Sequence, residues 1–374
     1  MVNKIFSLFW STRVALVLLV AILLSCIVGA SLPAAIGREA VFSSLWFNFL
    51  LVLLIVNIVF CIFKRIRILR LSQIGTTIFH LSLVLLFAGV VYDQLFFFEG
   101  AIRLTEGEAL SCAERASYDW VRKGRFFKIP KLEDLGKIYS HKFHLSYFAE
   151  GRDWGAAYEI VVGEDVQQGR KKSLRLVRTQ ADSPRRATEI IYVNHPLKYK
   201  GFEFYRDKEG YSPLFVLRDS LGRVLYGAYV PLQSIEQKDG TYLYRSGSAV
   251  APGSFNFPQD PQLPPVFSLQ ATYYPDKVKK RAGEIFFQAR PIVHGKDTEG
   301  QEEKELFKGK AALGKTVKAG DFLLSMDEVR YWTSMKVIYR PGSVIIFSSF
   351  WLGLGGITLS VILKMAKGIE KEER

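Results

Sequence analysis

Ile74 to Tyr92 reads IGTTIFHLSLVLLFAGVVY, an uncharged and mostly apolar run that carries one ionisable side chain, His80, near its start. As a helix its 19 residues would extend roughly 28 Å, about the depth of a bilayer core. An imidazole facing lipid costs free energy, so His80 is expected to turn toward a bundle interior, a partner or a bound cofactor. Imidazole is also a common ligand of transition metals. A histidine that only bonds a backbone carbonyl or a neighbouring helix meets the same constraint, and the run by itself leaves both readings open.

Three further segments share this character. Residues 14–32 are apolar apart from Ser25, Cys26 and Ser31 and end at Pro33; residues 45–63 are interrupted only by Asn48, Asn57 and Cys61. Near the C-terminus, residues 342–363 carry Trp351 midway and Gly353, Gly355 and Gly356, small surfaces against which another helix can pack. The first segment is too long for a cleaved signal and is followed by a second span. The expected architecture is a membrane protein. Three transmembrane helices lie within residues 1–92 (14–32, 45–63, 74–92) and a fourth at 342–363, followed by a tail at 364–374. A large extracytoplasmic β-rich domain over 93–341 separates the third from the fourth.

Flanking bases orient the helices. Lys64, Arg65, Arg67 and Arg70 separate the second span from the third. Placing four such bases at mid-membrane would cost on the order of 10 kcal/mol, against about 0.3 to 0.6 returned per leucine, so they form a cytoplasmic loop. Lys4 and Arg13 before the first helix and Lys364, Lys367, Lys371 and Arg374 after the last put both termini on the same side.

The net charge of +14 is therefore only partly a topology signal. Outside the membrane, bases cluster at Arg170 to Arg186 and Lys277 to Arg281, as a solvated face or a surface for anionic lipid heads or an acidic partner. No aromatic stacking motif accompanies them, which argues against nucleic acid. Of the 3 cysteines, Cys26 and Cys61 lie in spans, leaving Cys112 alone in the outer domain. It is read as a buried small hydrophobe, with transient pairing to a thioredoxin-like thiol reductant as the alternative. Cys-x-x-Cys, His-Glu-x-x-His, Gly-x-Ser-x-Gly and phosphate-loop patterns do not occur.

Between the spans the hydrophobic period shifts toward two. Phe143, Leu145 and Tyr147 alternate with polar residues, as do Tyr158, Ile160 and Val162, and Leu174 and Leu176. Pro213 to Val230 reads as a hairpin around Asp219 to Gly222, and Asp239-Gly240 as a turn before Tyr242 to Tyr244. Strands are also expected at Val266 to Tyr274, Ile285 to Val293 and Phe322 to Ile338, giving a β-sandwich or a pair of sheets, with exposed loops at Gln259 to Pro265 and Gly295 to Glu305. His141 and His144, three apart, should point to opposite faces of a strand and not share a metal. His195, in Asn194-His195-Pro196-Leu197, is read as a turn residue, and His294 as solvent-facing.

In order along the chain, Leu8, Ser11, Val28, Gly29, Leu32 and Pro33, then Phe42, Ser44, Trp46, Asn57, Cys61 and Arg65, then Gly75, His80, Ser82 and Gly89 mark the first three helices. Glu106-Gly107-Glu108, Asn194-His195-Pro196-Leu197 with Gly201, Phe204 and Tyr205, and Pro341-Gly342 follow. Their order and the helix arrangement resemble the ResB/CcsB family of system II cytochrome c maturation. The resemblance implies a subunit of a bacterial cytoplasmic membrane that pairs with a CcsA/ResC-type subunit. It also implies that the third-helix histidine, here His80, is an axial ligand to the iron of haem b in transit, opposite a histidine of the partner. Haem would then pass outward and be joined through two thioethers to a Cys-x-x-Cys-His apocytochrome c. The chain would thus be a non-catalytic or jointly catalytic subunit of a cytochrome c haem lyase.

Helical spacing places Thr76, Thr77, Val84 and Phe87 on the face of His80. A threonine hydroxyl is placed to hold the second ring nitrogen and Phe87 to pack on a porphyrin, although ordinary helix packing accounts for all four equally well. Arg67 and Arg70 are placed to neutralise propionates near the inner surface, although topology alone already explains them. The competing classes are a membrane-anchored sensor and a structural assembly factor that binds no haem.

Overall fold

A computed structural model describes residues 12–33, 37–66, 73–128, 130–149, 151–164, 186–247, 253–260, 263–276, 281–292 and 306–372. Arg67, Arg70, His294, the expected strand at Leu174 and Leu176, the loop Gly295 to Glu305 and most of the two basic clusters lie outside the described residues. The chain divides into two compact units: Met1–Glu99 with Arg122–Lys128 and Ile338–Arg374, and Gly100–Val121 with Ile129–Val337.

The first unit holds four helices long and apolar enough to cross a membrane. These are α1 (Thr12–Ser31), α2 (Leu45–Ile66), α3 (Ile74–Phe96) and α4 (Ser343–Glu372). Phe47, Leu51, Leu54 and Ile58 of α2 recur at three- and four-residue spacing, which makes one stripe; with Ile22 of α1 and Val41 of the connector they form a buried cluster. Gly29 and Gly37 let that connector fold back, since a Cβ on Gly37 would lie 2.1 Å from the Gly29 carbonyl oxygen.

α3 and α4 pack differently. Gly75, Ser82 and Gly89 recur every seventh residue, two turns less about 20°, and form a buried stripe down α3. A Cβ on Gly75 would meet the Ser360 backbone nitrogen at 2.4 Å, and one on Gly356 the Phe79 nitrogen at 2.8 Å. Only hydrogen at these positions lets the two backbones approach so closely, which is how helices associate where lipid removes the hydrophobic drive between them. α3 runs past Tyr92, and Asp93 is buried at its end. Its carboxylate accepts the Gly342 N–H (3.2 Å) and lies 3.5 Å from Arg340, closing the seam at the start of α4.

The second unit is β-rich, and its strands fall into four sheets among the described residues. The seven-stranded sheet runs β11 (Val224–Tyr229), β10 (Phe202–Arg218), β19 (Phe322–Tyr339), β1 (Phe98–Thr105), β3 (Tyr118–Lys123), with β9 (Leu197–Tyr199) on β10 and β18 (Thr316–Ala319) on β19. A six-stranded sheet runs β12 (Gln233–Glu236), β13 (Tyr242–Arg245), β15 (Phe267–Pro275), β16 (Gly283–Arg290), β17 (Phe307–Ala312), with β14 (Phe255–Phe257) on β15. A four-stranded sheet runs β2 (Ala109–Ser111), β4 (Lys137–His144), β7 (Ala157–Gly163), β8 (Arg186–Ile191), and β5 (Phe148–Ala149) pairs β6 (Arg152–Asp153).

The predicted hairpin at Asp219 to Gly222 and the turn at Asp239-Gly240 are present, both with Gly at positive φ. Aromatic rings join three of the sheets: Phe215 meets Phe287 at 5.2 Å between centroids, and Phe143 meets Tyr331 at 4.3 Å. Trp332 is buried and donates its indole N–H to the Leu232 carbonyl (2.8 Å).

Candidate functional site

His80 lies in the second turn of α3. At 100° per residue it points about 160° away from Ser82, so the seam against α4 is not its surface. It is half-buried, with the Phe79 ring edge-on at 5.8 Å. Its Nδ1 lies 2.6 Å from the Thr76 carbonyl oxygen, one turn back. A carbonyl only accepts, so this contact places the proton on Nδ1 and leaves the Nε2 lone pair outward. Nε2 has no partner among the described residues.

The predicted threonine contact is therefore made by the wrong atom. The Thr76 backbone carbonyl holds the ring nitrogen. The Thr76 hydroxyl instead pairs with Ser360 Oγ of α4 (3.3 Å), and the Thr77 hydroxyl donates to the Gln73 carbonyl (3.0 Å). In a helix the i−4 carbonyl is within reach of an imidazole, and both threonine hydroxyls are engaged elsewhere. Val84 and Phe87 pack against the α1–α2 cluster. Of the five residues on this face, His80 alone leaves a donor atom uncommitted.

The described histidines of the β-rich unit differ. A bulge between Ser140 and Lys142 breaks the alternation of β4. His141 and His144 consequently converge on one buried carboxylate instead of facing opposite ways: Nε2 of His144 is 2.8 Å and of His141 3.7 Å from Glu159. The period-two rule assumed an unbroken strand. His195 sits in the predicted turn, with Asn194 at φ 60°, and stacks on Tyr192 (4.6 Å, 9°) with its Nε2 3.3 Å from Glu189. It borders a 720 Å³ surface cavity with Lys198 and Tyr205. Among the described residues no three His, Cys, Asp or Glu side chains are grouped to hold a metal.

Glu106-Gly107-Glu108 forms the turn from β1 to β2. Gly107 is at φ 86°, Glu108 accepts the Thr105 N–H (2.7 Å), and Glu106 pairs with Arg281 (2.8 Å). Burial raises the Glu108 carboxyl above its ordinary range against that backbone hydrogen bond. Cys112 is fully buried and burial pushes its thiol up to about 12, so it is protonated and a poor nucleophile at neutral pH. Asp93 is the residue sequence reasoning placed on the wrong side of the boundary. A charge usually ends a span, and only the Gly342 contact shows that this one is held inside the helix pair.

A haem would be held through a protein imidazole without a cage of several side chains. The uncommitted Nε2 of His80, its tautomer set by Thr76, fits that demand. The fit does not extend to Val84 and Phe87 as free walls, since both are engaged in helix packing. No curated protein matches the chain. The family model for the ResB-like family matches residues 70–367, from the start of α3 through the β-rich unit and most of α4. The chain belongs to the ResB-like family, and through that family to the proteins of cytochrome c biogenesis.

Proposed function

We propose that the chain is a haem-handling subunit of a cytochrome c maturation complex and that His80 provides one axial ligand to haem b within the membrane, opposite a histidine of a CcsA/ResC-type partner. The observation that carries this is the division of labour on the ring: Nδ1 is tied to the Thr76 carbonyl and Nε2 is left without a partner. A hydrogen bond to the second nitrogen orients a ligating imidazole and raises its basicity. The iron would supply a Lewis-acid centre for the two imidazoles to grip.

This chain's own residues hold and orient the imidazole. Thr76 fixes the tautomer, Phe79 buttresses the ring, and the α3–α4 seam keeps the helix from rotating. With Lys64 to Arg70 cytoplasmic, His80 lies about 9 Å from the inner end of α3, a depth suited to entry from the inner leaflet. The β-rich unit would then be extracytoplasmic, in a bacterial cytoplasmic membrane, where apocytochrome c is received. Formation of the thioethers would belong to the complex with the partner.

Co-purification with a CcsA-type partner tests this. Replacing His80 by alanine should lower bound haem at least about tenfold, as measured by Soret absorbance, and added imidazole should restore it. Unchanged haem in His80→Ala with an intact complex would remove the ligand assignment and leave the structural assembly role.

A further inference from the structure

The segment Arg122–Lys128, RKGRFFK, takes in the last two residues of β3 and the loop after it, and belongs to the helical unit. Two of its backbone N–H groups bond the C-terminal end of α3: Gly124 donates to the Phe97 carbonyl (2.8 Å) and Phe126 to the Leu95 carbonyl (2.9 Å). They satisfy carbonyls that a helix end leaves without intrahelical partners. Gly124 is required for the approach, since a Cβ there would lie 2.4 Å from the Leu95 carbonyl oxygen. The loop is therefore held at the level where the apolar span of α3 ends.

Its side chains divide between two directions. Phe127 is buried and packs against Phe98 (5.0 Å between ring centroids) and edge-on to Tyr339 (6.0 Å). Phe126 is 52% exposed and continues a row of rings with Phe96 (5.9 Å) and Tyr92 (4.9 Å from Phe96). Ser43, just before α2, bonds Gln94 of α3 (3.2 Å), so the exposed Trp46 stands at the same end of the bundle. Exposed aromatic rings at one level mark a membrane–water boundary.

Charge completes the pattern. Lys123, Arg125 and Lys128 are exposed. Among the described side chains of this unit the acids at this end are Asp93 and Glu99; both are buried and committed, to Arg340 and Arg122. Among the described side chains of this unit, three bases without an acid partner thus flank one outward phenylalanine at the end of the apolar span of α3.

We infer that Arg122–Lys128 is a membrane-interface anchor, in which Phe126 enters the boundary between headgroups and acyl chains while Lys123, Arg125 and Lys128 bind the phosphates of anionic phospholipid. An apolar ring with flanking cations is the pattern that lies in such an interface. The assignment stands whether or not His80 ligates haem.

The test uses the full chain with p-benzoylphenylalanine in place of Phe126, reconstituted into vesicles of equal phosphatidylglycerol and phosphatidylcholine and irradiated, with adducts identified by mass spectrometry. Phospholipid adducts at position 126 are expected, enriched about fivefold or more in phosphatidylglycerol, the equivalent of a single interfacial base. The triple variant Lys123→Gln, Arg125→Gln, Lys128→Gln should bring the two lipids to equal yield. The same photoreactive residue at Phe347, exposed on α4, reports that reconstitution succeeded. Three results would overturn the anchor: no lipid adduct at 126 while 347 reacts, equal yields from the two lipids in the native loop, or adducts only to a second copy of the chain.

Discussion

The histidines of the two units sit in opposite chemical situations. In the β-rich unit each described imidazole turns a nitrogen toward a carboxylate, His141 and His144 toward Glu159 and His195 toward Glu189. In the helical unit His80 gives one nitrogen to a carbonyl of its own helix and keeps the other. A ring nitrogen that donates to a carboxylate carries a proton there and has no lone pair to offer a metal. A ligand needs a spare lone pair. Cys112 shows the third case, in which a group with coordinating chemistry is silenced by burial alone.

The largest effect expected from this contrast is at Cys112. A thiol near 12 holds about a thousandfold less thiolate at pH 8 than one at its ordinary value, so alkylation of the folded chain should be slower by about that factor and become normal on unfolding. Mass spectrometry of iodoacetamide-treated protein measures this, and rapid labelling in the folded state would place Cys112 among the reactive groups after all.

Next comes the seam that holds α3 in place. Gly75→Leu drives a side chain into the Ser360 backbone and should destabilise the helix pair by about 3 kcal/mol, lowering the unfolding midpoint in detergent. A variant as stable as the native chain would mean that the two helices do not depend on close approach.

The committed and spare imidazoles should then separate in stability. His144→Ala removes the nearer of two imidazoles from a buried carboxylate and is expected to cost about 1.5 kcal/mol. His80→Ala loses only a bond within one helix and should cost less than about 1 kcal/mol. Chemical denaturation of both variants in the same detergent sharpens the comparison, and a larger loss at His80 would reverse it.

The smallest effect is a pH dependence. The Arg330 hydrogen bond, assisted by Tyr229, holds the Glu328 carboxyl below its ordinary value. A depressed folded value means that the contribution is present above the unfolded value near 4.5 and is lost as pH falls through the folded one. Glu328→Gln should therefore lower stability slightly near neutrality, where the native contribution is fully present, and the difference from the native chain should close as pH falls below about 4.5.

Much of this was legible in the residues. Long apolar runs interrupted by clustered bases give the helices, because charge is so costly in lipid that composition nearly dictates position. The alternation around Asp219 to Gly222 and before Tyr242 gives strands and turns. The convergence of His141 and His144 was not legible, because one extra residue in β4 changes which face a side chain takes and leaves no mark in the pattern. Nor was the role of Asp93, whose partner Gly342 is remote in sequence.

From sequence alone came the four spans, the β-rich middle and the singular position of His80, since each follows from solvation, a property that residues carry with them. Tertiary structure decided which atoms are spare: that a carbonyl and not a hydroxyl holds the His80 ring, that Val84 and Phe87 are occupied, and that RKGRFFK lies against the end of α3. Those depend on hydrogen bonds and contacts a few ångströms long between segments distant in the chain, and such short-range forces are settled only once the backbone has brought the partners together.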